Sequence, residues 1–362
     1  MTNPQALLSR SKVDAIVVVP PPAEGQTLVT ERICTAFDTA FPFKLRAVRN
    51  SFGLKGLTWR AFKHILLVVH LIVGAFASLG RRRAYFVPDS NVGLYCNLIE
   101  APILRLGYRD VWLHHHVFRY IRQTDWRMRV ILKILGPKVH HIVLGEAMAD
   151  GLRTHYGAEN FHVLGNSIFV EDVPPARRRD TLNTIGFLSN ITPEKGIGLF
   201  MRTIRRVQET HPEMKCVVAG PISDANLRAE VEAFCAEAPE TRKWLGPVYA
   251  DQKLAFFGEI DLLLFPSQYP NEALPVTICE ALAAGAPVLA TDRGCIPDQL
   301  AGQGWVFGEV NFVDEATSQI ANWATDQIGF ARASEAAAAR YSAQRETDAQ
   351  SLDRLTDRMQ IT

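Results

Sequence analysis

Two glutamates separated by seven residues have the clearest potential for chemistry in this sequence. Glu272 and Glu280 lie in the run NEALPVTICEALAAGAPVLAT, in which most other residues are apolar. An ionised carboxylate is costly to bury without a partner, and Cys279 and Ala281 beside Glu280 cannot supply one. A ligand rich in hydroxyl groups would supply the donors that Glu280 needs.

The residues around the glutamates predict a strand, a loop and a buried helix. The apolar run Leu262–Phe265 predicts a buried strand, and residues 274–284, apolar almost all round, predict a buried helix. Pro275 suits the first helical turn, whose free N–H groups would bind an anion such as a diphosphate. A second strand is predicted at 288–290. A strand-helix-strand unit of this kind gathers its polar groups at the sheet edge where open parallel sheets bind ligands.

This pattern resembles the retaining glycosyltransferases of family four. The shared features are the two glutamates, the alanine after the second, a small-residue turn followed by Pro-Val, and a Gly-x-Ile-Pro loop from Gly294 to Pro297. Members have the GT-B fold, an α/β architecture of two Rossmann-like domains with a deep interdomain cleft and a C-terminal helix that crosses back to the N-terminal domain. The resemblance implies transfer of a sugar from a nucleotide-diphosphate sugar to a hydroxyl acceptor.

The resemblance also assigns roles to individual residues. Glu272 would bind the transferred sugar, Glu280 the ribose hydroxyls of the donor, and Lys195, in a Lys-Gly pair, the diphosphate. The leaving phosphate would help to deprotonate the acceptor hydroxyl, so that the protein contributes positioning and electrostatics. Other residues of this half would contact the donor: Asn190, Gly220, Val248, Ala273, Leu274 and Val276. The resemblance implies no metal and no other cofactor.

One departure from the family concerns the phosphate site. Where the family usually has Gly-Arg, this chain has Ser189 and Asn190. Asn190 can form only neutral hydrogen bonds, so half of the cationic clamp is missing unless another cation such as Arg293 reaches the diphosphate. Lys195 supplies the remaining positive charge to an anion that gains charge as the sugar leaves.

The start of the chain predicts a first strand and a loop that contacts the donor. Residues 15–19, AIVVV, predict a buried strand, and no G-x-G-x-x-G follows it, which removes the main support for NAD binding. Gly25 and Gln26, placed in the loop before a helix near 30–37, match the family's first loop, which closes over donor and acceptor. The alternative is that Gly25 only relieves a turn.

Three successive histidines follow a predicted strand at 111–113. Neighbouring residues of a strand point to opposite faces, so the three imidazoles are not expected to form a metal site. In the resembled family a histidine after this strand lies beside the transferred sugar and the acceptor. The motif H-x-x-F places it at His115, with His116 as the second choice. The alternative is a capped or surface histidine.

The longest apolar run, within residues 58–83, predicts a helix with two interpretations. It is interrupted by His70 and Gly74 and is too short for a membrane span, which needs about 20 apolar residues. An apolar helix is typical of a domain core. The basic residues that flank it also fit peripheral contact of 59–83 with a membrane surface, as for enzymes with lipid-linked acceptors.

Length and composition predict two domains. The 362 residues, 48% hydrophobic, suffice for two cores. We expect an N-terminal acceptor-binding domain at 1–168 and a linker at 169–181, which combines prolines with charge clusters. A nucleotide-sugar-binding domain at 182–335 and a helix at 336–362 returning to the first domain complete the prediction.

Charge and cysteine content predict the compartment and the partners. The 39 basic and 38 acidic residues give no global attraction to nucleic acid, so a nucleotide sugar and a saccharide or lipid-linked acceptor are the expected partners. Six scattered cysteines without C-x-x-C spacing predict reduced thiols rather than a zinc site. The N-terminus lacks the apolar core of a signal peptide, so we expect a cytoplasmic protein, which could act at the inner face of the membrane.

Other interpretations remain open from the sequence. A nucleotide-sugar epimerase on the same scaffold and a non-catalytic relative that binds nucleotide sugars would share the pocket. At the level of side chains, Glu272 could be a solvated turn carboxylate and Glu280 a helix residue paired with a nearby arginine. Donor sugar, nucleobase and acceptor are not specified by any residue of the sequence.

Overall fold

The chain folds as two compact units. The computed structural model describes residues 13–20, 25–41, 43–49, 57–170, 176–301 and 305–361. Contacts within the chain assign Met1–Phe169 and Asp348–Thr362 to the first unit and Val170–Thr347 to the second. Each unit has its own six-stranded sheet, and the strand pairs in the described residues are parallel. The predicted α/β class with two Rossmann-like domains is confirmed.

The sheet of the first unit contains six strands, numbered β1 to β6 in chain order: Val13–Val19, Phe43–Arg49, Arg83–Phe86, Val111–His114, Val139–Val143 and Phe161–Val163. Their order in the sheet is β2-β1-β3-β4-β5-β6. β1 has the sequence VDAIVVV and is buried over its first five residues. A strand rich in β-branched residues is typical of a parallel strand that is covered on both faces, so the first predicted strand is confirmed.

Six helices connect these strands, numbered α1 to α6: Gly25–Ala40, Leu57–Ser78, Gly93–Gly107, Arg119–Arg122, Trp126–Leu135 and Glu146–Tyr156. α1 begins several residues before the predicted start near residue 30. The prediction that Gly25 and Gln26 lie in a loop is therefore wrong, since they are the first residues of α1. Residues 21–24, also placed in that loop, lie outside the described residues.

α2 contains the long apolar run and has one buried and one exposed side. Leu67 and Leu71 are at most 3% exposed, and the close approach of Gly74 to Tyr108 leaves no room for a larger side chain. On the opposite side, large apolar residues such as Phe76 are exposed. The interpretation as a core helix therefore holds for one side only. In the part of the chain that the structure describes, no helix has both the length and the apolar character needed to cross a bilayer.

The sheet of the second unit contains strands β7 to β12: Thr184–Leu188, Lys215–Ala219, Arg242–Trp244, Leu262–Phe265, Val288–Thr291 and Val306–Phe307. Their order is β12-β11-β10-β7-β8-β9. The helices α7 to α12 span Ile197–Thr210, Ala225–Ala236, Asp251–Glu259, Val276–Ala283, Ile296–Gln299 and Phe312–Thr325. The apolar side of the first of these helices is buried in the core: Ile197, Phe200, Met201, Ile204 and Val207.

The C-terminal helix α13, Gln327–Ile361, contributes to both units. Within the first unit the carboxylate of Asp348 accepts hydrogen bonds from the backbone N–H groups of Gly165 at 3.0 Å and Ser167 at 3.1 Å. Near the end of the helix, Nη1 of Arg83 donates to O of Met359 at 3.0 Å. The predicted return of this helix to the first domain is confirmed.

The end of the predicted linker belongs to the second unit. Arg179 is 3% exposed, and its guanidinium donates to O of Phe257 and O of Ile260, both at 2.9 Å. A buried arginine that bonds backbone carbonyls fixes this segment to the core. Residues 171–175 of the linker lie outside the described residues.

Candidate active site

The predicted donor-site residues of the second unit lie at one edge of its sheet. Ser189 and Asn190 follow β7, Gly220 follows β8, and the loop that contains Glu272 follows β10. These strands are parallel neighbours, so their carboxyl ends share the edge at which such sheets bind ligands. Residues that are far apart in sequence are thereby brought together.

An ion pair joins two of the predicted residues. Nζ of Lys195 donates to Oε2 of Glu272 at 2.7 Å, and the side chains are 22% and 11% exposed. Oγ of Ser267 donates to the same oxygen at 2.7 Å, and Nζ of Lys195 lies 4.5 Å from the centroid of the Tyr269 ring. The site therefore contains a cation and a carboxylate that are directly hydrogen-bonded to each other. This arrangement can bind a ligand that carries both phosphate and hydroxyl groups.

Ser267 and Tyr269 were not among the predicted residues. Both belong to the turn between β10 and Glu272, and N of Tyr269 donates to Oγ of Ser267 at 3.3 Å. O of Ser267 in turn accepts from Oγ1 of Thr291 at 2.6 Å. A polar residue directly after a buried strand was the available signal, because a turn side chain often bonds the backbone that follows it.

Gly196 fixes the position of Lys195. Its φ is +82°, and a Cβ at this residue would lie 1.8 Å from O of Pro266. N of Gln268 also donates to O of Glu194 at 2.8 Å. The Lys-Gly turn therefore packs directly on the backbone that follows β10, which explains why the ammonium group of Lys195 reaches the carboxylate.

The Gly-x-Ile-Pro loop packs on the same glutamate loop. The φ of Gly294 is +54°, and a Cβ there would lie 2.3 Å from O of Glu272 and 2.6 Å from O of Ala273. N of Cys295 donates to O of Ala273 at 2.7 Å. The small residues that carried the family resemblance thus allow two turns to approach the backbone that positions Glu272.

Glu280 has a partner within the second unit. It lies in α10, is 6% exposed, and accepts a hydrogen bond from Nζ of Lys253 in α9. The expectation that Glu280 needs a hydrogen-bonding partner is therefore met in part by Lys253, a lysine where the alternative interpretation had an arginine. Lys253 is 33% exposed, so the pair remains accessible to solvent and to a ligand. No motif marks Lys253 in the sequence.

The first turn of α10 begins two residues after the predicted start. Val276 is the first helical residue, and Pro275, with φ of −66° and ψ of 125°, precedes it in an extended conformation. Ala273 is 5% exposed. Ala273 and Leu274 therefore belong to the loop, and of the three predicted donor-contacting residues around Pro275 only Val276 lies in the first turn of the helix.

Gly220 allows the ends of β7 and β8 to approach each other. Its φ is +126°, and a Cβ there would lie 1.7 Å from O of Ser189. N of Gly220 donates to O of Gly246 at 2.8 Å, and its O accepts from Nε1 of Trp244 at 3.1 Å. The guanidinium of Arg228 lies 5.0 Å from the centroid of the same indole. The predicted nucleotide pocket therefore has a tightly fixed backbone on this side.

We expect Gly220→Ala to destabilise the second unit by about 2 to 4 kcal/mol, because the backbone conformation is strained for a side chain and the new methyl group meets a carbonyl. Gly258→Ala in α9 is the matched control, since a Cβ there meets no atom within 4 Å. Alanine favours a helix over glycine, so the control should be neutral or slightly stabilising. Guanidinium denaturation monitored by fluorescence gives both values, and equal midpoints for the two variants would contradict the prediction.

The remaining predicted residues of the second unit differ in their exposure and contacts. Asn190 is exposed, and Val248 is 9% exposed. Arg293, considered as a replacement for the missing cation, forms an ion pair with Glu309, which also accepts from the amide of Gln268 at 2.6 Å. Arg293 and Lys195 are thus each paired with a carboxylate, and Lys195, whose partner is the predicted sugar-binding Glu272, remains the predicted phosphate-binding cation.

His115, the predicted substrate-facing histidine of the first unit, is fully buried. Its ring nitrogens lie 2.9 Å from OH of Tyr120 and 2.9 Å from Nδ1 of His141. Burial, and then the neighbouring His141, hold its pKa well below the usual value. The prediction for His115 is corrected, because a ring engaged on both sides cannot contact a substrate here. His116 is half-buried, and burial lowers its pKa to about 4, so it is neutral at pH 7.

The first unit also contains a cavity of about 170 Å³ at the carboxyl end of β1 and β3. Its polar lining includes Thr27 and Thr30 of α1, Lys63 of α2 and Asp89. A cation, a carboxylate and two hydroxyl groups suit a polar ligand. Over the described ranges, no group of three or more side chains is arranged to hold a metal ion.

Comparison with known proteins identifies relatives of the second unit. Residues 170–342 match the profile of the family described as glycosyl transferases group 1. A phosphatidyl-myo-inositol mannosyltransferase from Propionibacterium freudenreichii subsp. shermanii is 27% identical over 196 residues, 52% of this chain and 48% of the relative. An MMP alpha-(1->4)-mannosyltransferase from Mycolicibacterium hassiacum is 21% identical over 313 residues, 79% of this chain and 67% of the relative. The chain thus spans about half the length of the first of these relatives.

Solved structures show the same fold over nearly the whole chain. Anabaena Alr3699/HepE, in complex with UDP and glucose, has a TM-score of 0.65 at 16% identity and covers 95% of this chain and 99% of its own. The sucrose-phosphate synthase tll1590 from Thermosynechococcus elongatus has a TM-score of 0.71 at 14% identity, with coverage of 96% and 99%. At these identities the likeness establishes the GT-B fold alone. The family match is limited to residues 170–342, just under half of the chain, and these residues are similar to the glycosyl transferases group 1 family.

Proposed function

We propose that this protein is a retaining glycosyltransferase that moves a sugar from a nucleotide-diphosphate sugar to a hydroxyl acceptor in the synthesis of a polysaccharide, lipopolysaccharide or glycolipid. The observation that carries the proposal is the ion pair of Lys195 and Glu272, 2.7 Å long, at the ligand-binding edge of a group 1 glycosyltransferase domain. Lys195 binds the diphosphate and Glu272 binds hydroxyl groups of the transferred sugar.

The reaction exchanges one bond of the anomeric carbon for another. The bond from the anomeric carbon to the phosphate oxygen breaks, and the acceptor oxygen bonds to the same carbon on the same face of the sugar. The proton of the acceptor hydroxyl passes to the departing phosphate oxygen, which leaves as part of a nucleoside diphosphate. Lys195 stabilises the negative charge that develops on the diphosphate, and this charge stabilisation is the main contribution of the protein.

Glu280 and Lys253 serve the nucleotide end of the donor. A carboxylate that is 6% exposed and bonded to a partly exposed lysine retains acceptor capacity for ribose hydroxyls. Binding of the donor then displaces solvent from the exposed part of the Lys253–Glu280 pair. Supporting contacts come from the backbone at Gly220 and from other predicted donor-contacting residues that lie in loops, such as Asn190 and Ala273.

The positive charge of Lys195 is relevant to whether the transfer reaction requires a divalent metal ion. A positively charged side chain that reaches the diphosphate neutralises the leaving group in the way that a divalent ion does in other transferases. We therefore propose that transfer needs no divalent metal. Equal rates in the presence and absence of EDTA are the expected result, and a loss of activity that Mg²⁺ or Mn²⁺ restores would contradict it.

We assign acceptor binding to the first unit. Its cavity lined by Lys63, Asp89, Thr27 and Thr30 can bind a saccharide or the polar head of a lipid-linked acceptor. His116, the second choice from the sequence, replaces His115 as the candidate histidine, because the residue is only half-buried and burial keeps its ring neutral. The six cysteines are thiols rather than disulfides, which fits a cytoplasmic reaction.

A screen of nucleotide sugars by thermal shift, followed by an assay of transfer, tests this function. A ligand that binds only the native state raises the melting temperature, so the donor should stabilise the protein more than its competitors. Nucleoside diphosphate should then be released only with an acceptor, and NMR should show that the product keeps the anomeric configuration. Release of an epimerised nucleotide sugar, or inversion of configuration, would contradict the proposal. Donor binding without turnover of any saccharide or lipid-linked acceptor would indicate a non-catalytic relative.

We expect Glu280→Gln to weaken donor binding by about 10-fold to 100-fold, since a hydrogen bond to a charged group contributes about 1.5 to 3 kcal/mol. Glutamine keeps the shape of the side chain, and Lys253 remains partly solvated, which limits structural damage. Glu259→Gln is the matched control, because Glu259 pairs with Lys243 on the surface of the same unit. Calorimetric titration with the donor gives both affinities, and an unchanged affinity for Glu280→Gln would remove this residue from the site.

A further inference from the structure

The outer sides of three neighbouring helices of the first unit form an unusually apolar surface. We call it the three-helix face and define it as the exposed sides of α2, α3 and α5. Of the eighteen large apolar side chains that are exposed among the described residues, thirteen lie on these helices or directly beside them. Proteins in water rarely expose a continuous apolar surface of this kind unless it binds something.

α2 contributes a regular stripe to this face. Its exposed residues recur at intervals of three and four, which places them on one side of a helix. They are Phe62, Ile65, Val69, Ile72 with its neighbour Val73, and Phe76, with exposed fractions between 39% and 74%, and Leu79 continues the stripe beyond the helix end at 72%. No acidic residue occurs anywhere in α2.

α3 packs against α2 and contacts α5, and both helices extend the face. α2 and α3 approach so closely that a Cβ at Gly107 would lie 2.2 Å from the Cβ of Ala75. Leu106 of α3 is 83% exposed beside this contact. At the other end of α3, the ring of Tyr95 lies 6.1 Å from the ring of Trp126 in α5, and both are more than half exposed.

The charge of this region is strongly positive. Residues 57–135 contain twelve lysines and arginines and four acids, although the whole chain has 39 basic and 38 acidic residues. Every one of the acids is buried or engaged: Glu100 is 0% exposed, Asp110 and Asp125 form ion pairs with arginines, and Asp89 accepts a hydrogen bond from an asparagine. Basic side chains are exposed around the face, at Arg81, Arg109, Arg122, Arg129 and Lys133.

We propose that the three-helix face docks on the surface of an anionic phospholipid bilayer. Apolar side chains enter the boundary between headgroups and acyl chains, and the surrounding arginines and lysines contact lipid phosphates, which is the chemistry of interfacial helices. A second copy of this chain is a poorer partner, because a two-fold interface would bring the same basic surplus against itself. The proposal extends the predicted contact of 59–83 from one segment to three helices.

Vesicle flotation tests this docking without any need for donor or turnover, so its failure would leave the proposed transfer reaction untouched. The wild-type protein should float with vesicles of phosphatidylcholine containing about 30% phosphatidylglycerol and bind them at least about tenfold more tightly than phosphatidylcholine alone. Sodium chloride at about 0.5 M should weaken binding, since it screens the lipid charge. Absence of binding to the anionic vesicles would overturn the proposal.

Two variants separate the apolar and basic contributions. Ile65→Glu with Phe76→Glu places two charges in the stripe, and Arg81→Glu with Lys133→Glu reverses charge beside it. Each should reduce binding to anionic vesicles by at least about tenfold. Val310→Glu, at a 96% exposed apolar residue of the second unit, is the matched control and should bind as the wild type does.

Two further measurements distinguish lipid docking from misfolding and from self-association. Melting temperatures within a few degrees of wild type show that the variants are folded, since a loss of about 1 kcal/mol in the free energy of unfolding lowers the melting temperature by about 2 to 4 °C. Light scattering reports the mass in solution. A dimer that Ile65→Glu with Phe76→Glu converts to a monomer, in a protein that does not bind vesicles, would assign the face to self-association and overturn the proposal. Full binding by both double variants would also overturn it.

Discussion

Replacing Lys195 with methionine is expected to lower kcat/KM for sugar transfer by about 10²-fold to 10³-fold, the range found when one group that stabilises developing charge is removed. Methionine keeps the length and apolar stem of the side chain but has no ammonium group. In the protein this group lies 2.7 Å from Oε2 of Glu272 and 4.5 Å from the ring of Tyr269, and Asn190 replaces the second cation of the family. The diphosphate would therefore lose its main positive partner.

A surface lysine provides the control for this prediction. Lys243 also forms an ion pair with a glutamate, Glu259, but the two side chains are 50% and 40% exposed. Exposed pairs contribute little to stability, so Lys243→Met should change kcat/KM by less than about twofold. Initial rates at several donor concentrations separate kcat from KM. A Lys195→Met enzyme with the activity of Lys243→Met would exclude Lys195 from charge stabilisation.

Glu272 allows a second measurement on the same pair. Glu272→Gln removes the carboxylate while the amide can still bond a sugar hydroxyl. If Lys195 and Glu272 act as a unit, the double variant loses less than the product of the two single losses. Independent effects of the two substitutions would show that the ion pair is structural and that the residues contribute separately.

The glutamate motif could be predicted from sequence because its signals are local. The strand before it and the helix after it are apolar runs with a clear length, and Pro275 marks the helix start within two residues. The partners of the glutamates could not be predicted in the same way. Lys253 in α9 reaches Glu280 in α10 only through the folding of the second unit, and no spacing in the sequence expresses that approach. Ser267, five residues before Glu272, gave only the general signal of a polar turn residue.

The histidine prediction failed for a reason that sequence cannot reveal. Alternation along a strand indicates that His114 and His115 point to opposite faces, but it does not show which face is covered. The structure buries both rings completely and gives them partners on other strands. Those partners, Tyr85 for His114 and His141 for His115, lie on β3 and β5. An alignment shifted by one residue then selects the wrong imidazole.

Hydropathy alone also could not predict the environment of α2. Its sequence is apolar around most of the helix, which is compatible with burial in a core and with contact to a lipid surface. The decision depends on the neighbours: Tyr108 and the close contact at Gly107 cover one side, and no described element of the first unit covers Phe76 on the other. Only the fold distinguishes the two interpretations.

Acidification is expected to destabilise the first unit much more than the second. Nine of the ten histidines belong to the first unit, and only His211 to the second. Burial lowers the pKa of His116 and of His162 to about 4 and that of His141 to about 3. The folded first unit therefore holds these rings neutral at pH values at which an unfolded chain protonates them.

The sign follows from proton linkage. Below the unfolded pKa of about 6.5 the unfolded chain binds more protons than the folded unit, so stability is complete above this pH and falls as the pH decreases towards the folded values. For one fully buried ring such as His141, lowering the pH from about 6.5 to 4.5 removes about 2 to 3 kcal/mol. Several such rings lie in one unit, and a typical domain has only about 5 to 15 kcal/mol of stability, so we expect the first unit to unfold near pH 4.5.

His162→Phe provides the variant for this experiment. The ring of His162 lies 4.8 Å from the ring of Trp112, and phenylalanine preserves an aromatic contact without a titratable nitrogen. Scanning calorimetry between pH 7 and 4.5 should show two transitions. The melting temperature of one should decrease steeply on acidification, and that of the other should decrease little. In His162→Phe the melting temperature of the pH-sensitive transition should decrease less on acidification, while its value at pH 7 stays close to wild type. If both transitions fall in parallel and the variant changes neither, the buried histidines do not limit the acid stability of the first unit, and general protonation of carboxylates accounts for the loss.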